Sequence, residues 1–295
     1  LFTLQQLDYG ALKLEAGARF EHARITARPG AGQPQFFSGE RRFDALSLSG
    51  GASYAVLPGW RLGLALSRTE RAPAAEELFA NGLHAGTEAY QIGDPHLGIE
   101  RATSVEASFK GGDADLGAEL SAYYIWFGKF IYDARTGAAI DGLPVYQGRQ
   151  DDARWYGFEA EGHATLARLG GWKLAADGLV DPVWAPIAGY GPPPRIPPLR
   201  LLGGLEAPSR KLDLRAEAEH VTAQNRVALN ETPTPAYTVV NLSAHWRPWG
   251  EDRPVTFTLS ANNLFDVVAR RHASFLKDYA PLAGRDIRLT ARVEL

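Results

Sequence analysis

Four side chains that could bind a metal ion lie close together between residues 84 and 96 of the sequence. They are His84, Glu88, Asp94 and His96. Imidazole nitrogens and carboxylate oxygens are the ligands that zinc and related metals use in proteins, so this cluster predicts a metal-binding loop. The alternative interpretation is an ordinary solvated loop in which both histidines face water.

A further histidine, His272, lies near the end of the chain beside two arginines. Their positive charge disfavours a bound cation at this position, so the sequence predicts a structural role for His272.

Catalytic chemistry is not indicated by the sequence. Glu76 and Glu77 form a carboxylate pair, but their position before Leu78 predicts a short helical turn with acids at its start. No nucleophile elbow, phosphate-binding loop, zinc-protease or dinucleotide motif occurs, and there is no cysteine. A membrane lipase or protease would need a Ser/His or Asp/His group on one rim. We therefore predict that the protein is not an enzyme.

Composition narrows the remaining classes. The 295 residues carry a formal net charge of -3, spread along the chain, which argues against a nucleic-acid partner. No run of about 18 apolar residues exists, so no membrane-spanning helix is predicted. The mean hydropathy of -0.22 still allows transmembrane strands, because their polar and apolar residues alternate. The start at Leu1 and the lack of Met predict a chain cut from a longer precursor.

Period-two alternation of apolar and polar residues runs through much of the chain. Residues 255–262 and 287–295 show it without interruption, and residues 12–21, 116–126 and 212–219 repeat it. Such alternation is typical of a strand with one dry face. We count roughly twelve predicted strands of this kind.

The predicted connections alternate between short and long, as in a barrel with one tight and one elaborated rim. Short turns are expected at residues 58–59, 111–115, 169–171, 208–211 and 248–252, and long connections near residues 28–40, 73–98, 133–150, 185–195, 227–235 and 271–284. The seven tryptophans are expected to form two interfacial girdles. The side of the short turns would hold Trp60, Trp172, Trp246 and Trp249, and the other side Trp126, Trp155 and Trp184.

These patterns predict an all-β protein, an antiparallel transmembrane β-barrel. Twelve strands alone would leave open edges, which lipid does not tolerate. Barrels of about 22 strands enclose a plugged lumen. We therefore expect residues 1–295 to form the C-terminal portion, about 12 strands, of a 22-stranded barrel whose plug domain and N-terminal strands are absent here.

Several sequence runs resemble one known family. They are SRTERAP at residues 67–73, EELFANGLH at 76–84, EAYQIGDPHL at 88–97, NNLFD at 262–266 and HASFLKD at 272–278. Together they resemble TonB-dependent receptors over residues 41–295, and the loops around His84 and His272 look most like the zinc-type receptors. One departure is the final residue, Leu295, where such barrels usually end in an aromatic residue.

The resemblance implies energised import across the outer membrane of a Gram-negative bacterium. A metal ion such as zinc, or a metal complex, would be the transported ligand rather than a catalytic cofactor. His84 would then be a metal ligand, and the loops at residues 73–98 and 271–284 would gate the entrance with Asn81, His272, Lys277 and Asp278. The expected partners are outer-membrane lipid, the ligand and, through the plug, the TonB energy-coupling system.

Other ligands and functions stay open at the level of sequence. Receptors for siderophores, haem, cobalamin and sugars share this kind of barrel. A passive porin or an adhesion barrel is a further alternative, although the receptor-like run at residues 68–100 argues against the porin.

Overall fold

The computed structural model describes residues 1–30, 32, 36–250 and 255–293. Strands dominate it: β1 (Phe2–Tyr9), β2 (Leu12–Ala27), β3 (Gly39–Leu57), β4 (Trp60–Arg71), β5 (Asn81–His84), β6 (Ala89–Ile92), β7 (Glu100–Gly112), β8 (Leu116–Ile140), β9 (Leu143–Leu169), β10 (Trp172–Val180), β11 (Val183–Trp184), β12 (Arg200–Ala207), β13 (Leu212–Val221), β14 (Tyr237–Trp246), β15 (Val255–Asn262) and β16 (Asp286–Val293). One short helix, α1 (Ala75–Phe79), and a 3₁₀ turn (Ala85–Thr87) complete the described elements. Within the described ranges, no helix is long and apolar enough to cross a membrane.

Thirteen of the strands follow one another in a single antiparallel sheet, which we call the wall. Its order is that of the chain, with β5, β6 and β11 left off the path. Within the described residues, β1 pairs only with β2 and β16 only with β15, so the sheet is open and forms part of a barrel. The predicted all-β antiparallel fold is confirmed, with thirteen wall strands instead of roughly twelve.

The wall sorts its side chains by face, as the period-two pattern predicts. On β13, Leu214 and Ala216 are exposed on the outer face, while Arg215 and Glu217 point inward and pair with each other. Exposed leucines recur on the same face of neighbouring strands, including Leu205 of β12, Leu242 of β14 and Leu259 of β15. A contiguous exposed apolar band of this kind is typical of a surface that contacts lipid.

The prediction of a long connection near residues 133–150 is wrong. Strands β8 and β9 stay paired as far as Ile140 and Leu143, so only Asp141 and Gly142 connect them. Both of these residues have positive φ, 51° and 80°. Asp-Gly favours this two-residue hairpin turn, and this signal in the sequence was missed. The two strands have 25 and 27 residues, far more than the roughly 9–11 that would cross a bilayer, so the hairpin projects well beyond the neighbouring strands of the wall.

The predicted place of Trp155 in the outer girdle is also wrong. Its ring faces inward and lies 6.0 Å from Phe127 and 5.7 Å from Phe130, measured between ring centroids. Successive strand residues point to opposite faces, and Tyr156 takes the outward position. Trp126 does lie exposed on the outer face.

Most of the buried apolar side chains lie at the end of the wall that carries the long connections. There the connections pack together into a layer that we call the loop cap, made of residues 72–99, 129–152, 181–199, 222–236 and 263–285. Parts of the predicted connections at residues 28–40 and 248–252, and the terminal Leu295, lie outside the described residues.

A candidate site in the loop cap

The segment that follows β4 is anchored by α1. Leu78 and Phe79 are buried there against Phe43 of β3. At the start of the helix, the Glu77 carboxylate accepts a hydrogen bond from the Ala74 backbone N–H at 2.7 Å. The predicted helical turn is thus confirmed, and its acids stabilise the helix start.

The next part of the segment is the β5–β6 hairpin, which the wall holds in place. β6 pairs in parallel with the projecting part of β9, with Tyr90 opposite Val145. Inside the hairpin, the Tyr90 hydroxyl donates to Asn81 Oδ1 at 3.1 Å. The predicted gate residue Asn81 therefore lies at the base of the hairpin, and His84 lies at its tip.

At this tip, His84 is exposed, with its Nδ1 3.0 Å from Thr87 Oγ1. Glu88, also exposed, follows in the left-handed conformation. The nearby Asp133 of β8 remains accessible to solvent but lies in a concave recess. This partial burial raises its pKa, as does repulsion from Glu77, whereas His84 and Arg195 act in the opposite direction.

Asp94 and His96 lie beyond the opposite end of the hairpin. The Asp94 carboxylate accepts a hydrogen bond from the His96 backbone N–H at 2.8 Å. The two ends of the hairpin are three residue steps, about 10 Å, apart, and Asp94 lies beyond the end that is opposite to His84. Across the described part of the chain, no three His, Asp or Glu side chains are grouped to hold a metal ion. The structure thus places His84 with Glu88, and Asp94 with His96, in two separate positions.

A cavity of about 140 Å³ lies between the hairpin tip and the other connections of the loop cap. The charged groups on its walls come from all five connections of the loop cap: Glu88, Asp133, Arg135, Arg195, Glu231, Lys277 and Asp278. The guanidinium of Arg195 lies 3.8 Å from the centroid of the Phe275 ring, which also lines the cavity. The cavity therefore offers carboxylate oxygens. Two of its cations already have partners, since Arg195 lies over the Phe275 ring and Lys277 pairs with Glu231.

Beneath this cavity, Glu231, His272 and Lys277 form a buried polar cluster that we call the Glu231 clasp. Glu231 Oε1 accepts a hydrogen bond from Lys277 Nζ at 2.7 Å and lies 3.3 Å from His272 Nε2. His272 Nδ1 lies 3.0 Å from the Thr234 hydroxyl. The clasp joins the connections at residues 222–236 and 263–285. His272 and Lys277 are both buried here, while Asp278 at the surface accepts a hydrogen bond from Thr232.

The carboxylate of Glu231 is the charge centre of the clasp. Burial alone would raise its pKa, but hydrogen bonds from His272, Lys277 and the backbone N–H groups of Ala228 and Arg195 lower it to about 2. The Arg195 N–H bond, 2.9 Å long, ties a third connection to the clasp. Glu231 is not recognisable from the sequence, because a lone glutamate in an aperiodic loop gives no local signal.

The chain is similar to known proteins in sequence and in fold. The model of the family described as TonB dependent receptor-like, beta-barrel matches residues 1–264. Among solved structures, the copper transporter OprC matches 99% of this chain with a TM-score of 0.82 at 19% identity, over 46% of its own length.

Two other solved structures show the same fold. The FrpB iron transporter from Neisseria meningitidis matches 99% of this chain with a TM-score of 0.70 and 18% identity. The ferric-catecholate import receptor Fiu from E. coli K12 matches 99% with a TM-score of 0.69 and 15% identity. This chain covers 44% of each of those chains, so it spans less than half the length of these three structures.

Proposed function

Because the chain belongs to the TonB-dependent receptor β-barrel family, we propose that it forms part of an outer-membrane importer of a scarce nutrient, a metal ion or small metal complex. Binding and passage, not catalysis, are the proposed activity. The solved structures with this fold include proteins named as copper, iron and ferric-catecholate transporters. The names of these proteins support a metal ion or a metal complex as the cargo. The site in the loop cap suggests which of the two is transported.

In this proposal, residues 1–295 are the C-terminal portion of the barrel in the outer membrane of a Gram-negative bacterium. The remaining strands of a barrel of about 22, together with a plug domain, belong to the rest of the protein. The TonB system would act on the plug, and the loop cap would form the external gate. The coverage of 46% of the copper transporter OprC and 44% of the FrpB iron transporter is consistent with this organisation.

The size and the lining of the cavity in the loop cap support a metal ion as the cargo. Its volume of about 140 Å³ would hold an ion with a few waters, each occupying about 30 Å³. Sites for organic ligands of drug size usually measure about 300–1,000 Å³. Glu88 and Asp133 on its walls and His84 at the hairpin tip offer oxygen and nitrogen donors. The cavity thus fits a small cation better than a bulky chelate.

Zinc is the ion that we propose, with His84 as the first ligand. Imidazole and carboxylate together suit zinc, and His84 is exposed and has no carboxylate partner within ion-pair distance in the described structure. Glu88 would add an oxygen ligand from the same hairpin. Because no third donor is grouped with them, side chains of the plug would complete the coordination shell. Asp94 and His96, at the other end and nearer the membrane, would form a later contact on the entry path.

Calorimetry on the full-length receptor in detergent tests this proposal. We expect zinc to bind with micromolar or tighter affinity, and the His84→Ala variant to bind at least tenfold more weakly, since one metal–ligand bond is removed. Barrel assembly should be unaffected, because an exposed loop substitution removes a donor but no packing.

The matched control is His22→Ala, which removes an exposed histidine that pairs with Asp44 on the outer face. This variant should bind zinc as the wild type does. Equal zinc affinity in all three proteins would remove His84 from the site. Tight binding of an iron chelate, without zinc binding, would replace the ion by an organic complex and leave the receptor assignment standing.

A further inference from the structure

Arginine side chains interrupt the apolar outer face of the wall at one height. Leu48, Arg68, Thr103, Trp126 and Arg154 are successive cross-strand partners on five neighbouring strands, β3, β4, β7, β8 and β9. Strands lie about 4.8 Å apart, so the backbones of Arg68 and Arg154 are separated by about 14 Å. Trp126 between them marks the height of the membrane–water interface.

A third arginine lies one row further toward the loop cap. Arg101 is the cross-strand partner of Gly128 and of Glu70. Gly128 has open space where a side chain would stand. A groove of about 650 Å³ lies at this open space, and Gly128, Trp126 and Pro186 are among the residues that line it. We call this groove, with Arg68, Arg101 and Arg154 around it, the arginine groove.

The arginine groove has more cations than anions. Glu70, whose side chain is only 12% exposed, accepts from Arg101 Nε at 2.9 Å and lies 3.6 Å from Arg68 Nη2. It therefore orients two guanidinium groups but neutralises only one charge. In the described structure, no carboxylate lies within ion-pair distance of Arg154. Asp152, the other acid at the groove, precedes Arg154 by two residues and so lies about 7 Å closer to the extracellular side.

Directly below the arginine row, the outer face becomes aromatic and apolar. Val105, Tyr124, Tyr156 and Trp184 are successive cross-strand partners. The rings of Tyr124 and Tyr156 stack at 5.4 Å, and those of Tyr156 and Trp184 at 5.6 Å. A ligand that fits both rows must have an anionic head and apolar chains.

We propose that the arginine groove binds the phosphorylated headgroup of a lipid of the outer leaflet, with its acyl chains on the aromatic row below. This inference rests on the outer-membrane location proposed above and is independent of the cargo. Guanidinium groups donate paired hydrogen bonds to phosphate oxygens, and they keep their charge at any relevant pH. Three of them around one groove suit a headgroup with two phosphates.

The arginines of the same face on β2 and β3 provide a contrast within the molecule. Arg24 and Arg42 are cross-strand partners there, and both pair with Glu40, at 2.6 Å and 2.8 Å. Their shared carboxylate, Glu40, is itself 33% exposed on the surface beside them. This second site should therefore attract an anionic lipid much less.

The experiment compares two double variants of the full-length receptor by native mass spectrometry in detergent with added lipid A. Arg68→Gln/Arg154→Gln alters the arginine groove, and Arg24→Gln/Arg42→Gln makes the same change of charge at the control site. We expect the first variant to bind bisphosphorylated lipid A more weakly than the wild type, by on the order of tenfold, since two cations that attract the anionic headgroup are removed. The second variant should bind as the wild type does.

Two further arms complete the test. Arg68→Lys/Arg154→Lys should recover most of the binding, since it restores the charge, and lipid A with one phosphate should bind more weakly than the form with two. Equal lipid binding by the two glutamine variants would overturn the proposal. Inorganic phosphate that binds without lipid and displaces lipid A would also overturn it, because the groove would then be a site for a free anion. Zinc affinity should not change in any variant, so failure here is distinguishable from failure of the proposed cargo.

Discussion

In the wall, Arg215 and Asp177 form an ion pair whose side chains are each 31% exposed, whereas in the loop cap Lys277 and Glu231 pair with 5% and 9% exposure. Water still solvates the wall pair, so its contribution to stability should be small. The cap pair has lost that water and depends on its partners, because an unpaired buried charge is very unfavourable. The wall can therefore lose a charge with little effect, while the loss of a charge from the loop cap should destabilise the connections that the Glu231 clasp joins.

The sharpest test of this contrast is the charge-removing variant Glu231→Gln. Lys277 would remain buried without a counter-charge, which costs about 3–5 kcal/mol. We expect the connections at residues 222–236 and 263–285 to lose protection in hydrogen exchange while the wall keeps it.

The matched control is Asp177→Asn, which removes one carboxylate from the wall pair. Its effect on protection should stay within about 1 kcal/mol, as for other partly exposed pairs. Similar losses of protection in the two variants would mean that the loop cap does not depend on the Glu231 clasp.

A packing variant gives the next largest effect. Leu78 of α1 is fully buried. The Leu78→Ala variant should destabilise the segment at residues 72–99 by about 3 kcal/mol, because contacts are lost and a cavity is left behind. Limited proteolysis of the folded receptor would show new cleavage within that segment. Leu64→Ala, on the exposed outer face of β4, serves as the control and should leave this cleavage unchanged. Resistance of the Leu78→Ala variant would mean that the ion pairs of Arg71 hold the segment without the helix.

Acidity provides a milder perturbation of the clasp. The pKa of Glu231 is lowered in the folded protein to about 2, from about 4.3 in an unfolded chain. Its stabilising contribution is therefore fully present above about pH 4.3 and is lost as the pH falls through about 2. Protection factors of residues 222–236, corrected for intrinsic exchange, should be constant from pH 7 to 5 and decrease between about pH 4 and 2. A decrease centred near pH 6 would instead assign the control of the cap to a histidine.

The two regions also differ in how far the sequence predicts them. Alternation and turn residues are local, so the strands of the wall and its sorted faces follow from the sequence alone. The hairpin at Asp141-Gly142 carried an equally local signal and was missed only because the strands around it are unusually long. The inward position of Trp155 also follows from its strand phase.

The loop cap could not be derived in this way. Lys277 and Glu231 are 46 residues apart, and β6 pairs in parallel with a strand about fifty residues further along the chain. Neither contact leaves a periodic signal, because each depends on how whole connections pack. The same holds for the candidate metal ligands: proximity in sequence suggested four, and the hairpin separates them into two pairs. His84 with Glu88 remains a prediction.

The most direct test of the division between a lipid-facing wall and a ligand-binding cap is anomalous scattering at the zinc edge from crystals of the full-length receptor. We expect one strong zinc peak within bonding distance of the His84 imidazole, close to the cavity that Glu88 and Asp133 line, and no such peak in crystals of His84→Ala. A receptor with zinc bound elsewhere and none in the loop cap would contradict this account.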